Sequence, residues 1–255
     1  MSIEGFKKKK INAKLLQQNL QLQIDDPGIQ ASEIDKTLVI GYKGFYNRVI
    51  KRFIDIILAF TMIVCLLPFF LIIALAIFIE DGMPVFYRAQ RGGYHAKPFK
   101  ICKFRTMIKN ADSVGGGTTA MHDKRITKVG NVLRKTKLDE FSNLFNILSG
   151  EMSFVGPRPE LLKYTDAYTG TEQMIFEVRP GITDYSSIEF INLDEIVGSG
   201  NADEMYERYV LPKKNKLRIK YAATVSFKTD VKLFMMTVYK VFEKSFGFLL
   251  RGKHH

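Results

Sequence analysis

The chain has 255 residues, enough for one domain with a real core or two small ones, and carries 38 Lys and Arg against 26 Asp and Glu, a formal charge of +12. This excess suits a phosphate-rich partner, whether nucleic acid, anionic lipid or nucleotide, without choosing among them. Two cysteines, Cys65 in an apolar run and Cys102 in an expected strand, give no disulfide framework, and His95, His122, His254 and His255 lack a second ligand at metal spacing.

Residues 1–44 read as a polar arm. Lys7 to Lys10 form a basic run, and Leu15, Leu16, Leu20 and Leu22 follow a loose helical pattern that ends at Asp25-Asp26-Pro27-Gly28. No apolar stretch follows the basic run, so the form of a signal peptide is missing. A flexible arm or a short surface helix is expected, with contact to anionic headgroups as the sharper alternative.

Residues 45–82 are expected to anchor the chain in a membrane. After Lys51-Arg52, Phe53 to Ile79 is almost wholly apolar apart from Asp55 and Thr61, with Pro68 near its middle, and the run exceeds the ~20 residues of a spanning helix. Pro68 removes a donor where lipid offers no replacement. Lys43, Arg48, Lys51 and Arg52 precede the run, while Arg88, Arg91, Lys97, Lys100 and Lys103 follow it, a distribution compatible with both ends in the cytoplasm. Each arm around Pro68 reaches only about 17–21 Å, the depth of one leaflet. A re-entrant helix-break-helix is therefore favoured over a kinked spanning helix, with a buried core helix third.

From residue 83 to 250 the composition is that of a soluble domain. Val85-Phe86-Tyr87 and Phe99 to Met107 read as strands of a small hairpin turned through Gly92-Gly93-Tyr94-His95, and period 2 would aim Lys103 and Arg105 at one place. Gly115-Gly116-Gly117 marks a loop, and no phosphate-cradle motif is present. A basic segment containing Arg125, Arg134, Lys135 and Lys137 leads to Leu138-Asp139-Glu140-Phe141, the opening of a predicted amphipathic helix. Its apolar face would be Leu138, Phe141, Phe145 and Leu148, with Asp139, Asn143 and Asn146 off that face and Gly150 as its stop.

Carboxylates in a first turn ordinarily do no more than offset the helix dipole. Here cations flank them, among them Arg158, which Pro157 and Pro159 restrict to extended backbone and a fixed fork for a phosphate or planar group. Val178-Arg179-Pro180-Gly181 repeats the device. An acidic, turn-rich stretch from Asp194 to Glu207 and a basic one from Lys213 to Lys220 follow. A basic amphipathic helix, Val231 to Leu250, ends the chain and would either lie in the lipid interface or pack on the core.

These residues resemble the monotopic phosphoglycosyl transferases, membrane sugar-phosphate transferases that begin bacterial glycoconjugate assembly. The resemblance covers about Phe45 to Val241. It rests, in order, on Lys51-Arg52-Phe53-Ile54-Asp55, Lys103-Phe104-Arg105-Thr106-Met107, Leu138-Asp139-Glu140, the run from Gly150 to Pro159, and Arg179-Pro180-Gly181-Ile182-Thr183. What it implies is an α+β fold: a mainly helical membrane-associated catalytic domain with a small β-hairpin and a proline-broken re-entrant membrane helix. The location implied is the bacterial inner (cytoplasmic) membrane, with the catalytic domain facing the cytoplasm.

The implied reaction moves a sugar 1-phosphate from a UDP-sugar to a polyprenyl phosphate, usually undecaprenyl phosphate, and releases UMP. By resemblance Asp139 is the covalent nucleophile and Mg²⁺ ligand and Glu140 assists it. Arg134 and Arg158 match substrate-binding arginines, with Lys103, Arg105, Arg125 and Arg179 as further partners. The chemistry is coherent, because a diphosphate repels an anionic nucleophile unless a hard cation and nearby Arg and Lys neutralise it. Two departures stand out: Leu67 precedes Pro68 where many relatives have Ser, and Asp184-Tyr185-Ser186-Ser187 stands where Gly-Trp-Ala-Gln is common.

A non-catalytic membrane-anchored scaffold that binds phosphate-rich ligands is the main alternative. A nucleic-acid-binding protein fits poorly, since no recognition fold is legible and the apolar anchor goes unexplained. The sugar, the pathway and the choice between monomer and homo-oligomer stay open.

Overall fold

The computed structural model describes residues 3–111, 123–198 and 201–251. The Gly115-Gly116-Gly117 loop and His122 lie outside them. Helix α1 (Ile3–Asp25) comes first, and Leu20 and Ile24, one turn apart, bury on the same side while Leu22 stays exposed. Three single 3-10 turns follow, the second capped by the Asp35 carboxylate, which accepts from the Thr37 amide at 2.8 Å.

The segment is far from a loose arm, because Ile34, Leu38 and Val39 join the main core. Thr171 donates to the Ile34 carbonyl and Lys216 to that of Asp26. Gly41 sits so close that a Cβ there would fall 2.3 Å from the Ala223 carbonyl oxygen. Low hydropathy hid this segment's packing, since its few apolar residues bury against partners distant in sequence.

A π turn, Tyr46–Ile50, leads into helix α2 (Lys51–Asp81). Together they make an apolar helix of 36 residues, long enough by length and composition to cross a membrane. Helical structure continues through Pro68, with no non-helical residue between the two expected arms. A proline forfeits one backbone bond, and the apolar turns on both sides continue the helix past it. Among α2's apolar residues only Ala59, Phe70 and Ile77 are buried, so most of its surface needs an apolar environment other than this chain.

Both ends of α2 are fastened to the rest of the protein. Arg52 donates to the Ile147 and Leu148 carbonyls at 2.5 and 3.0 Å, and Asp55 accepts from the Ser153 hydroxyl and the Phe154 amide. At the other end the Glu80 carboxylate accepts from the Lys128 and Val129 amides, and Asp81 pairs with Arg105 at 3.0 Å. Between them the Phe70 ring lies 5.6 Å from Phe104 and 5.9 Å from Phe145.

Strands β1 (Phe86–Arg91) and β2 (Phe99–Phe104) form the predicted antiparallel hairpin, with Phe86 opposite Phe104 and Arg91 opposite Phe99. Helix α3 (Lys128–Thr136) begins at Thr127, whose side chain accepts from the Gly130 amide, and ends at left-handed Lys137. The carboxylate pair then occupies a separate 3-10 turn, Leu138–Glu140, ahead of α4 (Asn143–Ser149), which stops at Gly150 with φ 94°. This break resets the helical phase, so the predicted apolar face holds only in part: Leu138, Phe141 and Leu148 pack half-buried against the main core. Leu144 and Ile147 point into the core with Asn143 and Asn146, while Phe145 is exposed toward α2.

Strands β3 (Ser153–Val155) and β4 (Gly181–Thr183) pair in parallel. Short helical turns between residues 193 and 210 bury Val197, Ala202, Tyr206 and Val210 around Tyr164 in a small second cluster. Helix α5 (Leu211–Thr224) carries the basic stretch, in which Lys214, Lys216 and Arg218 are buried. Helix α6 (Phe227–Arg251) buries Leu233 and exposes Val231, Phe234, Met235, Val238 and Tyr239. Buried Asp230 ties three elements together, accepting from Lys51 at 2.5 Å, Tyr46 at 2.9 Å and Tyr221 at 2.8 Å.

Candidate active site

Asp139 and Glu140 are each only 8 % exposed, an unusual burial for two adjacent acids. Local geometry explains how the turn is held. The Asn146 side chain acts as a piece of strand, accepting from the Cys102 amide at 2.8 Å and donating to the Lys100 carbonyl at 2.9 Å. Ser142 donates to the Cys102 carbonyl at 2.9 Å. With α4 pinned to β2 this way, Lys103 falls beside Glu140 and donates to it at 3.1 Å.

Arg158 engages the same carboxylate as a fork, Nη1 donating to Oε2 at 2.8 Å and Nη2 to Oε1. Its loop is clamped on both sides. Before it, the Gly156 amide donates to the Thr183 carbonyl at 2.8 Å and the Gly181 amide to that of Pro157 at 3.0 Å. After it, Glu160 accepts from Arg218 at 2.6 Å and from Tyr206. Arg218 is 1 % exposed, and although burial opposes the Glu160 charge, Arg218 and Lys214 outweigh it and hold its pKa at about 2.

The two acids face different electrostatics. Burial works against Glu140, but Arg158 and Lys103 prevail and keep its pKa well below the carboxylate range. For Asp139 burial and then the Glu140 charge raise the pKa, with Lys103, Lys137 and Arg134 only partly offsetting them. Its Oδ1 is buried without a hydrogen-bond partner. Glu140 is thus the organiser of the cations, and Asp139 keeps an oxygen for something else.

Of the residues singled out in the sequence, the structure brings together Asp139, Glu140, Lys103 and Arg158, with Arg134 close enough to act on the Asp139 charge. Arg105 turns instead to Asp81 and to the Asp81 and Gly82 carbonyls, at the exit of α2. Arg125 forks onto Asp123 and reaches the Ala111 carbonyl. Arg179 donates to the Gly150 carbonyl at 3.1 Å and stacks over Tyr94. Two residues named in the sequence without a site role also bear on the pair: Lys137, whose left-handed backbone starts the acid turn and whose charge acts on both acids, and fully buried Asp184, which acts on the Arg158 charge. Lys137 adjoins the pair in sequence; nothing in the sequence brings Asp184 to Arg158.

A metal ion would meet a site of stated character here. Among the described residues no three His, Cys, Asp or Glu side chains converge, so a cation held by protein carboxylates alone does not fit. A buried carboxylate oxygen without a partner does fit Mg²⁺, which commonly takes one or two carboxylates and completes its shell with water and substrate phosphates.

Known proteins place this arrangement. The chain is 35 % identical over 193 residues to an uncharacterized sugar transferase of Bacillus subtilis, covering 76 % of this chain and 87 % of that protein. It is also 35 % identical over 203 residues to the Escherichia coli UDP-glucose:undecaprenyl-phosphate glucose-1-phosphate transferase, covering 77 % of this chain but 41 % of that longer protein. An Aeromonas hydrophila UDP-N-acetylgalactosamine-undecaprenyl-phosphate N-acetylgalactosaminephosphotransferase is 36 % identical over 142 residues, 54 % of this chain and 34 % of the relative. With residues 46–244 matching its pattern, a span that takes in α2, the acid turn, Arg158 and Arg179, the chain belongs to the bacterial sugar transferase family.

Proposed function

We propose that the protein transfers a sugar 1-phosphate from a UDP-sugar to undecaprenyl phosphate or a related polyprenyl phosphate through a covalent bond to Asp139. The observation that carries this reading is the contrast within the acid pair: Glu140 is neutralised by Arg158 and Lys103, while buried Asp139 keeps an unpartnered oxygen. An Asp139 oxygen attacks the phosphorus that bears the sugar, and the bond from that phosphorus to the oxygen bridging to UMP breaks. A phosphate oxygen of the lipid then attacks the same phosphorus, the bond to Asp139 breaks, and the carboxylate is regenerated with a polyprenyl diphosphate sugar as product. Neither step needs a proton on Asp139.

Lys103, Arg158, Lys137 and Arg134 place positive charge around the acid pair, which would neutralise a diphosphate bound against Asp139. Asp139 would hold Mg²⁺, which when bound supplies further charge neutralisation. Glu140 fixes the direction of the Arg158 fork and is not a required base, since a phosphate monoester is largely dianionic near neutral pH. A mere scaffold would not need a buried acid with a spare oxygen. The relatives' names span glucose and N-acetylgalactosamine, so the sugar is left to experiment.

Incubating the protein with polyprenyl phosphate, Mg²⁺ and a panel of UDP-sugars should release UMP with at least one of them, only when the cation is present. Silence across the panel would transfer the case to a phosphate-binding scaffold.

The anchor belongs to the same proposal. Helix α2 enters and leaves the cytoplasmic leaflet of the inner membrane from one side, bending at Pro68. Support comes from Arg52 and Asp55 at one end and Glu80 and Asp81 at the other, all bonded to a single domain. Cysteines placed at exposed Leu22 and Lys97, in a background lacking Cys65 and Cys102, should both react with an impermeant maleimide in inverted vesicles and both be protected in intact spheroplasts. Labelling from opposite sides would restore a spanning helix.

A further inference from the structure

We propose that Asn143 supplies a second protein oxygen to the cation site at Asp139. This rests on the reading of Asp139 as a metal ligand and adds a residue that no motif pointed to. Asn143 is 1 % exposed, and its Oδ1, like the Oδ1 of Asp139, is buried without a hydrogen-bond partner. An unsatisfied buried acceptor of this kind is destabilising, and two of them four positions apart compound the cost unless something shared satisfies both.

Position makes one shared partner reasonable. Asn143 opens α4, one turn beyond the 3-10 turn that holds Asp139 and Glu140. Side chains on a helix lean toward its N-terminus, so that of Asn143 leans back over the acid turn. Its neighbours on either side are committed elsewhere: Ser142 to the Cys102 carbonyl, and Asn146 to both the Cys102 amide and the Lys100 carbonyl. Among the described residues near the acid turn, Asp139 and Asn143 each keep one buried oxygen without a partner.

What could use two acceptor oxygens in a strongly basic surround is a small hard cation. Lys103 and Arg158 already serve Glu140, and Lys137 and Arg134 act on Asp139 through charge while its Oδ1 stays without a hydrogen bond. A carboxylate and a carboxamide oxygen suit Mg²⁺ or Mn²⁺ and leave the remaining positions to water and substrate phosphate. A neutral amide as second ligand also makes electrostatic sense, since a third acid here would repel the incoming diphosphate.

The test is Mn²⁺ binding followed by electron paramagnetic resonance, on the full chain in nanodiscs with UMP present. Asn143→Ala should weaken Mn²⁺ affinity on the order of tenfold, while Asn143→Asp, which keeps an oxygen, should bind at least as tightly as the wild type. Thermal unfolding without metal checks that both variants are folded. If Asn143→Ala binds like the wild type while Asp139→Asn does not, Asn143 is no ligand and the Asp139 reading stands. Should neither variant alter Mn²⁺ binding, or the wild type bind none, both fall together. If Asn143→Asp loses affinity as Asn143→Ala does, the amide nitrogen rather than its oxygen faces the site, and the ligand assignment is overturned.

Discussion

Asp139→Asn should abolish UMP release, by roughly 10⁴-fold or more, as expected when the nucleophile of a covalent mechanism is removed. The same variant should be as stable as the wild type or more so in metal-free buffer, because it replaces a buried charge that lacks a full set of partners with a neutral group of the same shape. Radiolabelled donor should leave label on wild-type protein when the lipid acceptor is omitted, and none on the variant. The diagnostic is the opposition of the two effects. Loss of activity together with collapse of the fold would make Asp139 a structural residue, and full activity would end the covalent proposal.

Arg158→Met is the second large effect. Glu140 would keep Lys103 as its near cation, and stranding a buried carboxylate costs about 3 kcal/mol. Activity should fall on the order of 10²–10³-fold as a donor aimed at developing charge is lost. Combining it with Glu140→Gln removes the stranded charge, so the double variant should recover most of the stability and none of the activity. Chemical denaturation in detergent gives the double-mutant cycle. Additive destabilisation by the two substitutions would mean that the pair is not coupled and that Arg158 is placed by its prolines alone.

What was legible in the sequence is what is local. The apolar run, the β-hairpin and the acid pair with its flanking cations are each read from neighbouring residues and reappear in the structure. Longer inference failed where phase was lost. Lys103 and Arg105 were expected to point together by strand alternation, but β2 ends at Phe104, and Arg105, one residue past it, is free to turn to Asp81. The helix expected from Leu138 onward changes type after Glu140, which rotates the asparagines inward and Phe145 outward.

Buried polar residues were the other blind spot. The sequence pattern puts Asn146 on the polar side of its helix and gives Arg218 and Lys216 no partner, because nothing in the sequence reveals the Lys100 carbonyl, Glu160 or the Asp26 carbonyl that receive them. The N-terminal segment misled for the same reason. Its packing against α5 and against the turns near Thr171 is a property of the folded chain alone.

The Asn146 contact has a consequence for the hairpin as an object among many copies of itself. A two-stranded ribbon has two outer rows of amides and carbonyls, and an open row is a template for a strand from another molecule. On β2 the Asn146 carboxamide occupies that row at Lys100 and Cys102, and at the end of β1 Arg91 bridges Leu161 while the Gly92 amide donates to the Glu160 carbonyl. If α2 holds the protein on a membrane as proposed, its crowded neighbours meet a ribbon with the β2 row occupied at Lys100 and Cys102 and the β1 row closed at its Arg91 end, which disfavours strand-to-strand stacking.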